Sequence, residues 1–353
     1  FMSDGARARD ESGARPDGRR VGGRSWVARA GRRLRWLSVV LAMGALACSE
    51  PAQPPLMVGV NTWVGYDPLV LARDREAIDA QQVKVVELVS SAEAVRHLRN
   101  GLLDAAGLTL DEALRLVDSG FGVRIVALLD TSAGADVVMA APRVTDLQKL
   151  RGERIAVEDA TVGTLMLERL LRKANLRQDD VTAVRMDATQ HLTALLSDRV
   201  AAAVSYAPLS GPIQALGYRP IFDSREIPNQ IVDVLVVRND VLEERPEAVD
   251  ALMGVWAAGL HVMQLDPQGA AASMAPGAEL TPAQYQSVQQ GLRFYSPAES
   301  LALLSGEPPP LAQQSSDMVH LLQELGVLNE PPDWSALIDT GPALRARDAQ
   351  PLP

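Results

Sequence analysis

The sequence contains very little cysteine and histidine. Its 353 residues include one Cys, Cys48, and four His. A disulfide framework needs pairs of cysteines and a cysteine-based zinc site needs several, so both are excluded. Aromatic residues are also scarce, at 4% of the chain. The close spacing of two of them, Trp63 and Tyr66, is therefore unusual for this chain.

Motifs that carry catalysis are missing as well. The chain has no Gly-x-Ser-x-Gly, no His-Glu-x-x-His and no glycine-rich loop of the kind that cradles phosphate. The four histidines, His97, His191, His261 and His320, fall in segments with helical patterns. We therefore expect a protein that is not an enzyme and that has neither a metal site nor a cofactor.

Basic residues are concentrated at the start of the chain. The first 47 residues hold ten Arg, no Lys and four acidic residues, a net charge of +6. The remainder holds 24 basic and 40 acidic residues, a net charge of −16. Phosphate binding needs a basic surface, so the acidic body argues against nucleic acid as a partner. It suits a soluble protein in an extracytoplasmic space.

The start of the chain has the pattern of an export signal. The basic segment Arg29–Arg35 precedes Trp36–Ala47, whose 12 largely apolar residues are too few to span a bilayer. This pattern predicts a secretory signal over residues 1–47. Ala45–Cys48 resembles a bacterial lipobox, which predicts cleavage before Cys48 and lipidation of its sulfur; a plain signal peptide with an incidental Cys is the alternative. Residues 48–56 would form a proline-rich tether on the periplasmic side of a bacterial membrane.

The body alternates β-branched segments with helical ones. Met57–Val60, Val83–Leu88, Asp104–Leu108 and Val123–Leu129 have the pattern of strands, and a second series begins at Arg154–Val157. Such alternation predicts an α/β fold with mostly parallel sheets flanked by helices. In sheets of this kind, ligands collect outside the carboxyl ends of the strands. Polar and aromatic residues at those ends are therefore candidates for ligand contact.

The first four strand ends supply one set of candidates. They offer amide, aromatic, hydroxyl and carboxylate groups, at Asn61, Trp63, Tyr66, Ser90, Ser91, Thr109, Asp130 and Thr131. Aromatic side chains bury a large area and carry a polar tip, and helix N-termini attract anions. The alternatives are a packed cluster for the rings, a fixed turn for Asn61, and capping for the serines, Asp111 and Asp136.

Several segments are similar, in order and spacing, to solute-binding proteins of bacterial ABC importers. They are VNTWVGYDPLVLAR, LRNGLLDAAGLTLDEAL, LLDTSAGADVVMA, DLQKLRGERIAVE and FDSREIPNQIVDVLVVR. The chain most resembles the nitrate/sulfonate/taurine-type branch, which has the type II periplasmic-binding-protein fold. The likeness covers roughly residues 58–239.

The resemblance implies two lobes joined by two crossing strands, with the ligand in the cleft between the lobes. Residues 57–138 and the helices and tail of 239–353 would form lobe one, and residues 139–238 would form lobe two. It also implies ligand contacts from lobe two and the hinge, at Glu158, Thr161, Thr164, Tyr206 and Asp233. Packing between the lobes is the alternative for Tyr206 and Asp233.

The resemblance further implies a membrane-anchored monomer that captures a small organic solute for an ABC permease. The expected cleft loops contain no Lys and, before Arg225, no Arg, while several strand ends carry carboxylates. Those carboxylates would repel a sulfonate or nitrate. We therefore expect a neutral, zwitterionic or amine-bearing solute.

Two other functions stay open. One is a ligand-sensing module for a membrane partner. The other is an enzyme similar to those of the same fold that make a pyrimidine precursor of thiamine and depend on histidine and cysteine chemistry. The position of the single Cys at the leader boundary argues against the enzyme.

Overall fold

The computed structural model describes residues 53–76, 79–158 and 161–348. The predicted leader, the predicted lipidation site Cys48 and most of the predicted tether lie outside the described residues, as do residues 349–353 of the predicted tail. The described residues comprise the body of the protein.

Two sheets contain the eleven strands of the described residues. In chain order the strands are β1 Leu56–Val60, β2 Val83–Glu87, β3 Ala105–Thr109, β4 Val123–Ser132, β5 Asp136–Ala140, β6 Arg154–Val157, β7 Thr182–Arg185, β8 Ala202–Tyr206, β9 Arg219–Asp223, β10 Val232–Arg238 and β11 Leu292–Phe294. The first sheet has the order β11-β4-β10-β3-β1-β2, and the second sheet has the order β7-β6-β8-β5-β9.

Helices flank both sheets and dominate the last third of the chain. In chain order they are α1 Asp67–Asp74, α2 Ser91–Arg99, α3 Leu110–Asp118, α4 Thr161–Lys173, α5 His191–Leu196, α6 Ser210–Ala215, α7 Asn239–Glu244, α8 Pro246–Leu265, α9 Pro267–Met274, α10 Pro282–Gln289, α11 Pro297–Leu304, α12 Pro310–Gln314, α13 Ser316–Glu324, α14 Trp334–Leu337 and α15 Gly341–Asp348. Proline occupies the first turn of α8 through α12, where its missing N–H needs no partner.

The chain passes from the first sheet to the second between β4 and β5, and returns between β9 and β10. The returning strand β10 runs antiparallel to β3 and β4, and β5 runs antiparallel to β8 and β9. Parallel pairing is confined to β1 with β2 and β3, and to β6 with β7 and β8. The α/β fold is as predicted, but each sheet is mixed, because the strands at the crossings run opposite to their neighbours.

Strand β10 also differs from the predicted division of the chain. The sequence assigns residues 139–238 to lobe two, yet β10 lies in the first sheet with Asp233 opposite Thr109 on one side and Asp130 on the other. An apolar β-branched strand next to a loop has no sequence feature that selects which sheet it joins. The bounds of the two lobes stay a prediction.

Three smaller differences share one cause. The polar composition of Phe222–Gln230 predicts a loop, but its first two residues belong to β9, which pairs with β5. The sequence predicts a helix over Thr281–Leu292; the observed helix α10 ends at Gln289, and Leu292 starts β11 on the edge of β4. The sequence predicts a loose tail over Arg345–Pro353, but Arg345 is part of α15, in which Ala343 is fully buried. In each case pairing or packing with a distant segment decides the local structure.

The 20-residue helix α8 is long and apolar enough to cross a membrane, but it packs inside the body. It buries Leu252 and Trp256 in an apolar cluster with α1 and β1, and the Trp256 indole donates to the main-chain oxygen of Tyr295 at 2.9 Å. At Gly259 it meets the main chain of Pro68, the second residue of α1. Helix α8 therefore holds α1 against the first sheet.

Candidate functional site

A cleft opens where strand ends of the first sheet face those of the second. Its empty space, mouth included, is about 580 Å³. It brings together eight of the residues predicted from the sequence, namely Asn61, Trp63, Tyr66, Ser91, Thr109, Glu158, Tyr206 and Asp233. Seven lining residues were not among the predicted contacts: Glu112, Asp136, Val162, Gly163, Val204, Ser205 and Ile231. The two sheets thus contribute side chains to one shared surface.

Three aromatic rings form one wall of this cleft. Trp63 and Tyr66 come from the loop after β1, and Tyr206 ends β8 on the second sheet. The rings of Trp63 and Tyr206 meet edge to face, with centroids 5.9 Å apart and planes at 77°. This is a favoured geometry for aromatic pairs. An apolar or cationic ligand surface would find a preformed aromatic contact here.

Gly65 allows the aromatic loop to lie close to a buried carboxyl. A Cβ built at Gly65 would lie 2.1 Å from Asp130 Oδ2 and 2.2 Å from Trp63 Nε1. No side chain fits at position 65, so the glycine lets the short turn Val64–Tyr66 lie directly over Asp130. The indole N–H of Trp63 is thereby directed towards Asp130, and burial with that carboxyl fixes the ring.

The floor of the cleft carries one carboxyl, Asp233, and a second carboxyl, Asp130, is buried next to it. Asp233 of β10 lies directly opposite Asp130 of β4, and its Oδ1 accepts a 2.6 Å hydrogen bond from the Tyr66 hydroxyl. Burial and then repulsion from Asp130 raise the pKa of Asp233 well above its usual range. Burial also raises the pKa of Asp130, to about 7. The pair holds a proton at neutral pH because two adjacent buried carboxylates cannot both ionise cheaply.

Glu112 is held at the cleft by a helix N-terminus. Its Oε2 accepts a 3.2 Å hydrogen bond from the main-chain N–H of Thr109, and its Oε1 accepts one from the Ser91 hydroxyl at 2.6 Å. This reciprocal arrangement is a capping box at the start of α3. Burial raises the pKa of Glu112 despite these hydrogen bonds.

The second sheet contributes two further carboxyls. Asp136 begins β5 and is 5% exposed, and burial raises its pKa to about 7. Glu158 follows β6; burial, and then repulsion from Glu112, Asp187 and Asp136, raise its pKa to about 7. Arg185 lies at this edge but donates to the main-chain oxygen of Glu158, at 3.0 Å, and to the hydroxyl of Thr164. No Lys or Arg is among the described residues that line the cleft.

Five buried polar atoms of lining residues lack a hydrogen-bond partner within the described part of the chain. They are Trp63 Nε1, Thr109 Oγ1, Asp136 Oδ2, Ser205 Oγ and Asp233 Oδ2. Buried polar groups in folded proteins almost always have a hydrogen-bond partner. A ligand that enters the cleft and donates hydrogen bonds can supply partners to the two carboxyl oxygens and the two hydroxyls.

Five predicted contact residues do not line the cleft. Ser90 caps α2 by accepting from the main-chain N–H of Glu93 at 3.3 Å. Thr131 shares a 2.8 Å hydrogen bond with the Tyr295 hydroxyl inside the core. Asp130 and Thr161 are buried behind the lining, and Thr164 points to Arg185. Three of the five thus have hydrogen-bond partners outside the cleft and two are buried behind its surface, so their contacts with a ligand stay predictions.

The lining residues that were not predicted, Glu112, Asp136 and Ser205, differ in how clearly the sequence marks them. The segment Thr109-Leu110-Asp111-Glu112 has the spacing of a capping box. In a capping box the side chain of the fourth residue, here Glu112, folds back towards the first, which places it near the end of β3. Asp136 was interpreted as a turn cap, yet it begins a strand directly after the crossing from the first sheet. No sequence pattern marks Ser205, because its role depends on which face of β8 meets the cleft.

No histidine is among the described residues that line the cleft. His191 is fully buried at the start of α5, away from the cleft, and burial lowers its pKa to about 4. Within the described ranges, no group of three or more His, Cys, Asp and Glu is arranged to hold a metal ion. The arrangement can bind a hydrogen-bond donor or an organic cation.

The sequence also matches known proteins. The NMT1-like family matches residues 49–276. A Brucella abortus protein named "Putative binding protein" is 31% identical over 170 residues, which cover 46% of this chain and 51% of that protein. The chain thus spans about half the length of the curated relatives that it matches.

Solved structures share the fold at low identity. The periplasmic aliphatic sulphonate binding protein SsuA from Escherichia coli has a TM-score of 0.67 and 15% identity, covering 82% of this chain and 92% of that one. The desulfurization enzyme DszB has a TM-score of 0.64 and 16% identity, covering 84% and 99%. The predicted periplasmic-binding-protein fold is confirmed. The same fold carries binding and catalysis, so the site has to decide between them.

Proposed function

The chain belongs to the NMT1-like family, and we propose that it is the extracytoplasmic solute-binding receptor of an ABC importer. In this role the body captures a small organic solute in the cleft and delivers it to a membrane permease. The name of the Brucella relative and the fold shared with SsuA support this role. A lipid on Cys48 would hold the receptor at the periplasmic side of a bacterial membrane.

The charge of the cleft carries our proposal for the class of solute. Glu112, Asp136, Glu158 and Asp233 line it, and no basic side chain among the described lining residues offsets them. An anion would lose its hydration and meet carboxyls. An ammonium group gains hydrogen bonds to them and contact with three aromatic rings. We therefore place an amine-bearing organic solute here rather than a sulfonate.

Binding rather than catalysis fits the lining. The described residues of the cleft include no His and no Cys. The hydroxyl of Ser205 has no base in contact, and a serine needs an adjacent base to become a reactive nucleophile. The hydroxyl of Ser91 does contact a carboxyl, Glu112, but the other oxygen of that carboxyl accepts the main-chain N–H of Thr109 at the start of α3, which gives this contact a structural role. We propose that the protein returns its solute chemically unchanged.

A ligand screen tests the receptor. Purified protein is heated with amines, amino acids, sulfonates, nitrate and pyrimidines, and the unfolding temperature is recorded. A ligand at a hundredfold excess over its dissociation constant adds about 2.7 kcal/mol of stability. We expect amines to raise the unfolding temperature and sulfonates to leave it unchanged. A shift with sulfonates and none with amines contradicts the proposed solute class.

Removal of one aromatic ring should weaken binding clearly. Trp63→Ala deletes the ring that packs on Tyr206, and truncation of a buried anchor costs about 2 kcal/mol or more of binding energy. We expect at least a twentyfold higher dissociation constant by calorimetry for the best amine of the screen. Trp334→Ala is the matched control, because that half-buried ring lies outside the cleft. Equal affinities in both variants would reassign Trp63 to packing alone.

A further inference from the structure

We propose that the receptor recognises the N–H hydrogens of a primary ammonium group and rejects the same cation when its nitrogen is fully methylated. Asp233 Oδ2 is the main acceptor of these hydrogens, and Tyr66 is a positioning residue that fixes the Asp233 carboxyl. This inference rests on the proposed receptor function and specifies the kind of amine that the cleft takes. It follows from the hydrogen bonds of the lining and from the acceptors that they leave free.

Asp233 lies in the middle of a row of strand ends on the first sheet. In β10 it is directly opposite Thr109 of β3 on one side and Asp130 of β4 on the other. The side chains of directly opposite residues share one face of a sheet and lie close together. Asp130 is buried behind the lining, whereas Asp233 and Thr109 line the cleft. A ligand that reaches these strand ends therefore meets the Asp233 carboxyl and the Thr109 hydroxyl together.

Tyr66 holds one oxygen of this carboxyl. Its ring lies against Gly107, where a built Cβ would be 2.9 Å from the ring carbons Cδ1 and Cε1. Gly107 is two residues before Thr109 in β3, so both face the same side of the sheet. From this position the Tyr66 hydroxyl donates to Asp233 Oδ1 at 2.6 Å. The bond sets the orientation of the carboxyl and leaves Oδ2 without a partner among the described residues.

The other carboxyls of the lining are less suited to be the main acceptor. Both oxygens of Glu112 already accept hydrogen bonds, one from the Ser91 hydroxyl and one from a main-chain N–H. Burial raises the pKa of Glu112, and the nearby Arg115 guanidinium opposes this rise, so Glu112 already has a counter-charge. Glu158 is half-buried and can be hydrated in the empty cleft. Asp136 Oδ2 is buried and free, which offers a second acceptor from the opposite sheet.

The free oxygens of the lining require hydrogen-bond donors. A carboxylate oxygen only accepts hydrogen bonds, and a hydroxyl oxygen can accept them as well as donate. Free oxygens of these kinds belong to Asp233, Asp136, Thr109 and Ser205. A primary ammonium carries three N–H donors, so it can pair with a carboxylate and with neighbouring oxygens at once. A trimethylated nitrogen carries none, and it would displace water and leave these oxygens unpaired.

The aromatic rings do not distinguish the two kinds of cation. Trp63, Tyr66 and Tyr206 line the cleft, and aromatic faces attract ammonium and quaternary ammonium groups alike. Each added methyl group even gains apolar contact with the rings. A preference against methylation can therefore come only from the unpaired oxygens, so a methylation series measures their role directly.

Calorimetry on the purified protein tests the inference. It compares n-alkylamines of three to six carbons with their N-methyl, N,N-dimethyl and N,N,N-trimethyl forms. We expect affinity to fall with each methyl group and to be at least about tenfold lower for the trimethyl form, because unpaired buried oxygens are costly. A loss smaller than about tenfold for that form overturns the inference but leaves a receptor for organic cations. No binding by any member of the series overturns both the inference and the proposed solute class.

A branched amine separates hydrogen bonding from size. A 1,1-dimethylalkylamine of equal length has similar bulk next to the nitrogen and keeps its three N–H hydrogens. Its affinity should lie much closer to that of the n-alkylamine than to that of the trimethyl form. Binding as weak as that of the trimethyl form would show that the cleft excludes bulk, and it would overturn the inference.

Two variants assign the selectivity to residues, where selectivity is the ratio of the dissociation constants of the trimethyl form and the n-alkylamine. Asp233→Asn removes the main acceptor, and Tyr66→Phe keeps the ring on Gly107 but removes the hydroxyl. Both should lower the ratio, whereas Tyr218→Phe, at a half-buried ring outside the cleft, should leave it unchanged. An unchanged ratio in Asp233→Asn overturns Asp233 as the acceptor, and an unchanged ratio in Tyr66→Phe overturns the positioning role of Tyr66.

Discussion

Gly259→Ala should cost the protein most of its stability. A Cβ at this position would lie 1.8 Å from the main-chain oxygen of Pro68 and 2.5 Å from its carbonyl carbon. Neither atom can rotate away, so α8 and α1 must separate. Overpacking of a core costs about 1–3 kcal/mol where side chains can adjust, and a main-chain clash costs more. Against a total stability of about 5–15 kcal/mol, this is a large fraction.

A second glycine of the same helix supplies the control. Gly254 has nothing within 4 Å of a built Cβ. Alanine is favoured over glycine in a helix by about 1 kcal/mol, so Gly254→Ala should raise the unfolding midpoint in urea. Gly259→Ala should lower this midpoint by an amount that corresponds to several kcal/mol of unfolding free energy, or should prevent folding. Equal midpoints for the two variants would show that α1 and α8 do not meet as described.

The contact at Gly259 also matters for the cleft. Helix α1 begins at Asp67, one residue after Tyr66 and directly after the turn that carries the aromatic loop. Any displacement of α1 from α8 moves the rings relative to the carboxyls behind them. A partly folded Gly259→Ala variant should therefore bind amines more weakly than its residual stability alone would suggest.

The sequence is sufficient to predict the bounds of several strands and helices, because these bounds depend on neighbouring residues alone. Strands such as β1 and β6 are short, apolar and bounded by polar loops, so their ends could be placed within one residue. The sequence predicts a helix over Pro297–Leu304, which are the observed bounds of α11. The structure shows a local cause, since Ser296 and Glu299 form a capping box and Pro297 occupies the first turn. Signals of this kind do not depend on the rest of the fold.

The features that the sequence does not specify are those that depend on distant pairing. The sheet that receives β10, and the face of β8 that carries Ser205, are set by register between strands far apart in sequence. A one-residue change of register exchanges the faces of a strand. For the same reason Thr131 lies in the core next to Asp130, although both were predicted as equivalent strand-end groups.

Acidification should stabilise the ligand-free protein between pH 8 and pH 5.5. Burial raises the pKa of Asp111, Asp130, Asp136 and Glu158 to about 7 in the folded protein, whereas unfolded carboxyls titrate near pH 4. The folded state binds these protons more tightly, so its stability is lost as pH rises through 7. Each such carboxyl contributes roughly 2 kcal/mol over this range.

One buried histidine opposes this trend. The pKa of His191 is lowered to about 4, so the unfolded chain takes up its proton first and stability falls as pH drops below about 6.5. Four carboxyls outweigh one histidine in this interval. Urea unfolding of the ligand-free protein at pH 8, 7 and 5.5 should give rising free energies of unfolding. A fall from pH 8 to pH 5.5 would contradict the raised carboxyl pKa values.

Asp233→Asn should then stabilise the empty protein and disable the receptor. An asparagine keeps an oxygen that can accept the hydrogen bond from Tyr66 and removes the charge that repels Asp130. At pH 8 we expect a higher free energy of unfolding than in the parent and a weaker dependence on pH. Loss of a buried partner charge costs about 2–5 kcal/mol of binding energy, which is at least a thirtyfold loss of amine affinity.

Asp233→Asn is thus expected to raise the free energy of unfolding and to lower the affinity for amines. Asp179→Asn, at an exposed position beyond α4, removes the same charge from the protein without touching the cleft, and should change neither quantity. If Asp233→Asn destabilised the ligand-free protein, the role of Asp233 would be to stabilise the fold. If it left amine affinity unchanged, the ligand would not reach the floor of the cleft. Stability gained together with binding lost is expected only when a buried carboxyl is kept for a cation, since the empty fold is better without its charge.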